Sequence, residues 1–164
     1  MLEKITRFVV RFMEICSCTL LLSLALSVLF GIADRFLFHI GLAWPEEFAR
    51  FMFIWLGPLT AAILVQRREH FDFSNLVDKL LDEGTKGRQI YEVLISSIMV
   101  GLMILLVIFG LKFAEFARYH KATSIRISMS YVYLSIPIGA IFIIFFYVVN
   151  IYNDIKKIKR LKNQ

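Results

Sequence analysis

Charge is missing from long parts of this chain. Residues 15–33, 51–66, 93–111 and 127–153 hold no aspartate, glutamate, lysine, arginine or histidine. A substrate or ion pathway through a membrane is normally marked by ionisable groups or broken helices near the midplane. A pump, proton relay or channel filter built by this chain alone is therefore excluded. Histidine is scarce too, and His39, His70 and His120 all fall outside the uncharged stretches, which argues against haem held between spans by axial imidazoles. Only two cysteines occur, Cys16 and Cys18. Two apart on one helix, they point to nearly opposite sides and cannot pair. Without a Cys-x-x-Cys pair, quinone-linked thiol oxidation is excluded as well. No His-Glu-x-x-His helix and no Ser/His/Asp arrangement offers hydrolytic chemistry, so the chain is not expected to be an enzyme. No linker rich in Pro, Gly or Ser and no repeat of 20 to 50 residues divides it, so residues 1–164 read as one domain.

What fills the uncharged stretches is apolar: 59% of the 164 residues are hydrophobic and 15% aromatic, against 20% charged. Crossing a hydrocarbon core of ~30 Å takes about 20 such residues in a helix. With no water there to satisfy the backbone, each segment must be helical. The predicted fold is an all-α integral membrane protein with spans at about residues 12–36, 46–67, 91–115 and 128–153. Lys4, Arg7 and Arg11 before the first run resemble the start of a signal peptide. That run is too long for a signal core and lacks an Ala-x-Ala site. Pro137 is the interior breaker expected to kink the fourth span, its freed carbonyl re-satisfied by Ser135 or a neighbouring helix. Few small-xxx-small patterns occur, and Phe142, Phe145 and Phe146 favour broad apolar contact with lipid or a larger partner.

Charges at the span ends set the orientation. Thirteen Lys and Arg lie in the N-terminal segment, the middle loop and the tail, against six in the other two loops. By the positive-inside bias both termini are cytoplasmic. The net charge of +6 is then a topology signal with added attraction to anionic lipid. Nucleic-acid binding is not indicated, because the basic residues sit at helix ends and not on one folded face.

In the middle loop, Phe73, Leu76, Val77, Leu80 and Leu81 follow helical spacing, with Asp78, Lys79, Asp82 and Glu83 opposite. An amphipathic helix over about 72–83 is predicted between spans 2 and 3. It suits the phospholipid interface and equally suits a partner subunit. The loop between spans 1 and 2 carries a helix start. Pro45 fits the first turn, Glu46 and Glu47 meet the positive end of the helix dipole, and Glu46 is spaced to reach Arg50 at i, i+4. Trp44 suits the headgroup belt. Arg35 is expected at the same depth, which would make one cluster of four charges.

These residues carry a resemblance. Arg35-Phe36, Trp44-x-Glu46-Glu47-x-x-Arg50, Trp55-Leu56-Gly57, Arg67-x-x-His70 and Tyr133-x-x-x-Pro137-x-Gly139 are similar to the small membrane subunit of tripartite ATP-independent periplasmic (TRAP) transporters, the DctQ-like family. Pro58 stands where that family usually has a small residue, and Ser130-Tyr131 where a tryptophan is common. These departures bear on the packing of helices 2 and 4. The resemblance implies a bacterial inner-membrane subunit that is not catalytic and holds no cofactor. It would work beside a large multi-span subunit that binds sodium and substrate, and with a periplasmic binding protein. The substrates implied are small organic acids of the C4-dicarboxylate or sialic acid class. Candidate partner contacts are Arg35, Trp44, Glu46, Glu47, Arg50, Trp55, Arg118, Lys121 and Arg126. Arg67, His70 and the apolar face from Phe73 to Leu81 are the candidate lipid-facing brace. The rival reading is a membrane anchor of a respiratory enzyme complex.

Overall fold

The computed structural model describes the backbone of residues 2–67 and 86–162, and the side chains of 4–67, 93–152 and 155. The predicted interfacial helix at 72–83 lies outside the described residues. Five α-helices are labelled here: α1 (Leu2–Ala33), α2 (Trp44–Arg67), α3 (Lys86–Phe116), α4 (Met129–Tyr133) and α5 (Ser135–Lys162). Four helical segments are long and apolar enough to cross a membrane: Lys4–Phe38, Trp44–Arg67, Val93–Tyr119 and Met129–Tyr152. The four predicted spans are all present. At ~1.5 Å per residue, the 32 residues of α1 rise ~48 Å, well beyond a ~30 Å core. Its first turns, with Lys4, Arg7 and Arg11, therefore project past the hydrocarbon.

The spans are arranged in the order α1, α2, α5, α3, since α1 packs chiefly on α2, α2 on α5 and α5 on α3. Burial follows that order. Within their apolar windows α2 and α5 are 33% and 44% buried, whereas α1 and α3 are only 11% and 6% buried. The flanking helices present rows of leucine, isoleucine and phenylalanine outward, from Phe8 and Phe12 to Phe109 and Phe116. Water would not tolerate such a surface. Hydroxyls on it are satisfied within their own helices: Thr19, Thr60 and Ser97 donate to the carbonyls of Ile15, Leu56 and Val93 at 2.7 to 2.8 Å.

The inner contacts depend on glycine meeting proline. All three prolines face a glycine of another helix: Pro45 faces Gly31, Pro58 faces Gly139 and Pro137 faces Gly110. A β-carbon added at Gly139 would sit 2.2 Å from Cβ of Pro58, and one at Gly110 would sit 3.2 Å from Cδ of Pro137. Small residues let membrane helices approach closely. Here the surface that meets Gly139 is a rigid pyrrolidine ring instead of a second small residue. Pro58, a departure from the family pattern, is half of the tightest of these contacts.

The fourth span is two helices interrupted at Leu134, which keeps a helical backbone. Pro137 supplies the reason: it has no N–H for the carbonyl of Tyr133 four residues back. Ser135 does not fill that role as expected. Its Oγ is buried without a hydrogen-bond partner, so the sequence-based assignment to Ser135 is corrected.

Two buried clusters stack along the row. Met13, Leu59, Ala62, Ile143 and Phe146 form the larger, and Phe51, Ala122 and Val132 the smaller. Asn150 donates to the carbonyl of Val65 at 3.1 Å, and Arg67 pairs with Glu14 at 2.6 Å. Those contacts bring the start of α1, the end of α2 and the end of α5 to one end of the structure. The connecting loops 34–43 and 117–128 lie at the other.

Candidate functional site at the loop end

Asp34 organises the first loop. The chain leaves α1 through a π-helical turn, Asp34–Phe38, and reverses at His39, whose φ is 55°. The N–H of His39 donates to the carbonyl of Asp34 at 2.6 Å, and the N–H of Leu42 donates to its carboxylate Oδ2 at 2.7 Å. Gly41, at φ 74°, gives the left-handed conformation this wrap needs. Asp34 is only 1% exposed, and its Oδ1 has no partner. Ser27 then ties α1 to the start of α2 by donating to the carbonyl of Pro45 at 2.8 Å.

The four expected charges do not form one cluster. Arg35 pairs with Glu46 across the α1–α2 turn, both side chains well exposed; such a surface pair is worth ~0–1 kcal/mol. Glu47 turns elsewhere, because consecutive helical residues point ~100° apart. Its Oε1 accepts from the N–H and hydroxyl of Thr123 at 2.9 and 3.1 Å, and its Oε2 from the N–H groups of Ser124 and Ile125 at 2.8 and 3.0 Å. The carboxylate is buried in this cradle of amides and fastens the loop after α3 to the first turn of α2. Hydrogen bonds to an ionised acceptor are roughly twice as strong as neutral ones. Arg50 is exposed and makes no ion pair among the described residues. The expected Glu46–Arg50 pair is thus replaced by Glu46–Arg35, the guanidinium arriving from the neighbouring helix.

The loop that Glu47 holds is a narrow turn. Lys121 bridges Ser128, Ala122 exchanges hydrogen bonds with Arg126 and Ile127, and Ser128 donates to the carbonyl of Arg118. Arg126 adopts φ 57°, which is uncommon without glycine or asparagine. Arg118, Lys121 and Arg126 are exposed and form no ion pair among the described residues. Trp44 packs beside Phe30 with ring centroids 5.5 Å apart. Trp55, half-buried about three turns further along α2, stands apart from this face. Arg67 sits at the opposite end with Glu14. His70, Phe73, Leu76, Val77, Leu80 and Leu81 lie outside the described residues.

Asp34, Ser27 and residues 123–125 were not singled out in the sequence. A lone acid before Arg35, with Gly41 following, is a faint signal of a helix-ending wrap. For residues 123–125 no signal exists, since what they contribute is backbone. The resulting surface offers three unpaired cations on a fastened loop beside an aromatic edge. It presents charge and shape, with no positioned nucleophile among the described residues.

The family model for the DctQ component of tripartite ATP-independent periplasmic transporters matches residues 24–157. The chain is 24% identical over 155 residues to the sialic acid TRAP transporter small permease protein SiaQ of Vibrio cholerae, covering 94% of this chain and 88% of that protein. It is 26% identical over 114 residues to the sialic acid TRAP transporter permease protein SiaT of Haemophilus influenzae, covering 70% of this chain but 18% of that longer protein. These matches lend the respiratory-anchor reading no support. The chain is a multi-pass membrane protein without catalytic function, and it belongs to the DctQ component family of TRAP transporters.

Proposed function

We propose that this chain is the small subunit of a sodium-coupled TRAP transporter in a bacterial inner membrane, importing an organic acid of the sialic acid or C4-dicarboxylate class. Both termini are cytoplasmic in this reading, and the loop end faces the periplasm. The chain holds neither sodium nor substrate, which belong to a large multi-span partner. It widens and steadies the fixed part of that partner, and residues 1–164 act as one domain. The observation that carries this reading is the match to SiaT. A segment similar to this chain forms 18% of a longer permease, so in that relative the two parts share one polypeptide. The open row of helices supports it: α1 and α3 leave broad apolar surfaces for lipid or partner.

The periplasmic face, with Arg35, Trp44, Glu46, Arg50, Arg118, Lys121 and Arg126, meets the large subunit or the docked binding protein. Glu47 acts through the loop it fastens. Exposed charges at an interface rim govern encounter rate and salt dependence more than assembly. Co-expression with a large TRAP permease partner should yield a stable complex on purification. Replacing Arg118, Lys121 and Arg126 together by glutamate should leave that complex intact, slow capture of the substrate-loaded binding protein by roughly tenfold or more at low salt, and reduce the salt dependence of uptake. Recovery of the chain alone from membranes would refute the subunit reading. Unchanged uptake by the triple variant would refute docking.

A further inference from the structure

At the loop end four large apolar side chains stand uncovered. Phe36, Leu37, Phe38 and Ile40 are 75%, 73%, 59% and 67% exposed, on the π-helical turn Asp34–Phe38 and the reversal after it. Lipid suits the apolar faces of α1 and α3 within the membrane, but two depth markers put this turn beyond the hydrocarbon. Glu14, paired with Arg67 at the opposite end, is partly exposed. Phe38 follows it by 24 residues, ~36 Å of helix against a core of ~30 Å. Trp44 lies beside Phe30, and tryptophan marks the headgroup level. Phe36 and Phe38 come six and eight residues after Phe30, ~9–12 Å past that level. Acyl chains do not reach there, and a contiguous apolar patch facing water marks a protein contact.

The turn is also held in one shape. Asp34 takes the N–H of His39 on its carbonyl and the N–H of Leu42 on its carboxylate, and the backbone is left-handed at His39 and Gly41. The apolar side chains are thus presented without the ordering cost of a floppy loop. The Arg35–Glu46 pair stands beside them as a polar rim. Chemistry then selects the partner. Permanent subunit contacts are the more apolar ones, whereas a soluble protein that docks and leaves keeps its contact surface polar. The loop end carries both kinds of surface on different loops: the apolar turn between α1 and α2, and Arg118, Lys121 and Arg126 on the loop after α3. We infer that the turn 36–40 is the seat of the permanent large membrane subunit, with Phe36, Leu37, Phe38 and Ile40 entering an apolar recess at the same end of that subunit. The cations are left free for the transient partner. This rests on the subunit reading above and adds to it which patch meets which partner.

The test uses the full chain in lipid nanodiscs, alone and assembled with a large TRAP permease. A membrane-impermeant maleimide reads the exposure of Leu37→Cys, since Cys16 and Cys18 lie within the uncharged stretch, out of its reach. Leu37→Cys should label readily in the chain alone and roughly tenfold or more slowly in the complex. Adding the binding protein should change that rate little. The Phe36→Ser/Leu37→Ser/Phe38→Ser variant should keep the Tm of the chain alone within about 2 °C, because these side chains are mostly exposed. It should lower the recovered complex roughly tenfold or more. Absence of labelling in the chain alone would overturn the seat, since lipid or a second copy would then cover the turn. So would labelling that the permease leaves unchanged, or protection that comes only with the binding protein. A wild-type complex that survives the triple substitution overturns the seat and leaves the subunit reading standing. A wild-type chain that forms no complex overturns both.

Discussion

Replacing Gly139 by leucine is expected to destabilise the protein by about 3 kcal/mol or more, the largest effect of any single change at the helix contacts. Even alanine places a β-carbon 2.2 Å from Cβ of Pro58 and 3.1 Å from its Cα. The neighbour is a ring locked into a helix, so it cannot swing aside as the end of a flexible side chain would. Relief requires α2 and α5 to separate, and they are the two most buried spans, so separation loosens the row at its centre. Gly139→Ala should cost ~1–3 kcal/mol, measured by unfolding in detergent or bicelles. Pro58→Gly removes the clashing atom. The double variant should therefore be less destabilised than the sum of the two single variants. Additive costs would show that this contact does not limit the approach of the helices.

Glu47→Ala is expected to lower Tm and to release the loop 121–128. Three backbone N–H groups and a hydroxyl lose their acceptor in one change. Thr123 and Ser124 are exposed and can recover water, which keeps the penalty below that of a fully buried charged network. Glu47→Gln retains one carbonyl oxygen but turns an NH₂ group toward amide donors, so it should recover only part of the loss. Arg35→Ala removes an exposed pair and should change stability by less than about 1 kcal/mol. Hydrogen exchange at residues 122–127, alongside Tm, separates loop release from global loosening. Unchanged protection there in Glu47→Ala would contradict the role given to the cradle.

Parts of this structure were legible in the sequence for physical reasons. Spans could be read because the bilayer excludes unpaired charge, and the charge-free stretches mark the four crossings. The start of α2 was legible because Trp44-Pro45-Glu46-Glu47 carries the local chemistry of a helix start. The pairing of charges was less so: Arg35, Glu46, Glu47 and Arg50 were correctly placed at one end, yet their partners were not. Glu47 finds backbone amides 76 to 78 residues away, and an amide is the same on every residue. The fit of glycine to proline also escaped, because spacing rules describe one helix, whereas Pro58 and Gly139 complement each other across two. Asp34 escaped because an acid at the end of an uncharged stretch looks like any solvated charge, and its burial depends on the wrap of residues 39–42 around it.

If this chain, as proposed, supports transport carried out by a larger partner, transport should fail without it. Reconstituting the large permease with its binding protein in vesicles, with and without this chain, and measuring sodium-driven uptake of the organic acid tests it most directly. Uptake should collapse without the chain and return when the chain is added. Full-rate uptake by the large permease and binding protein alone would contradict it.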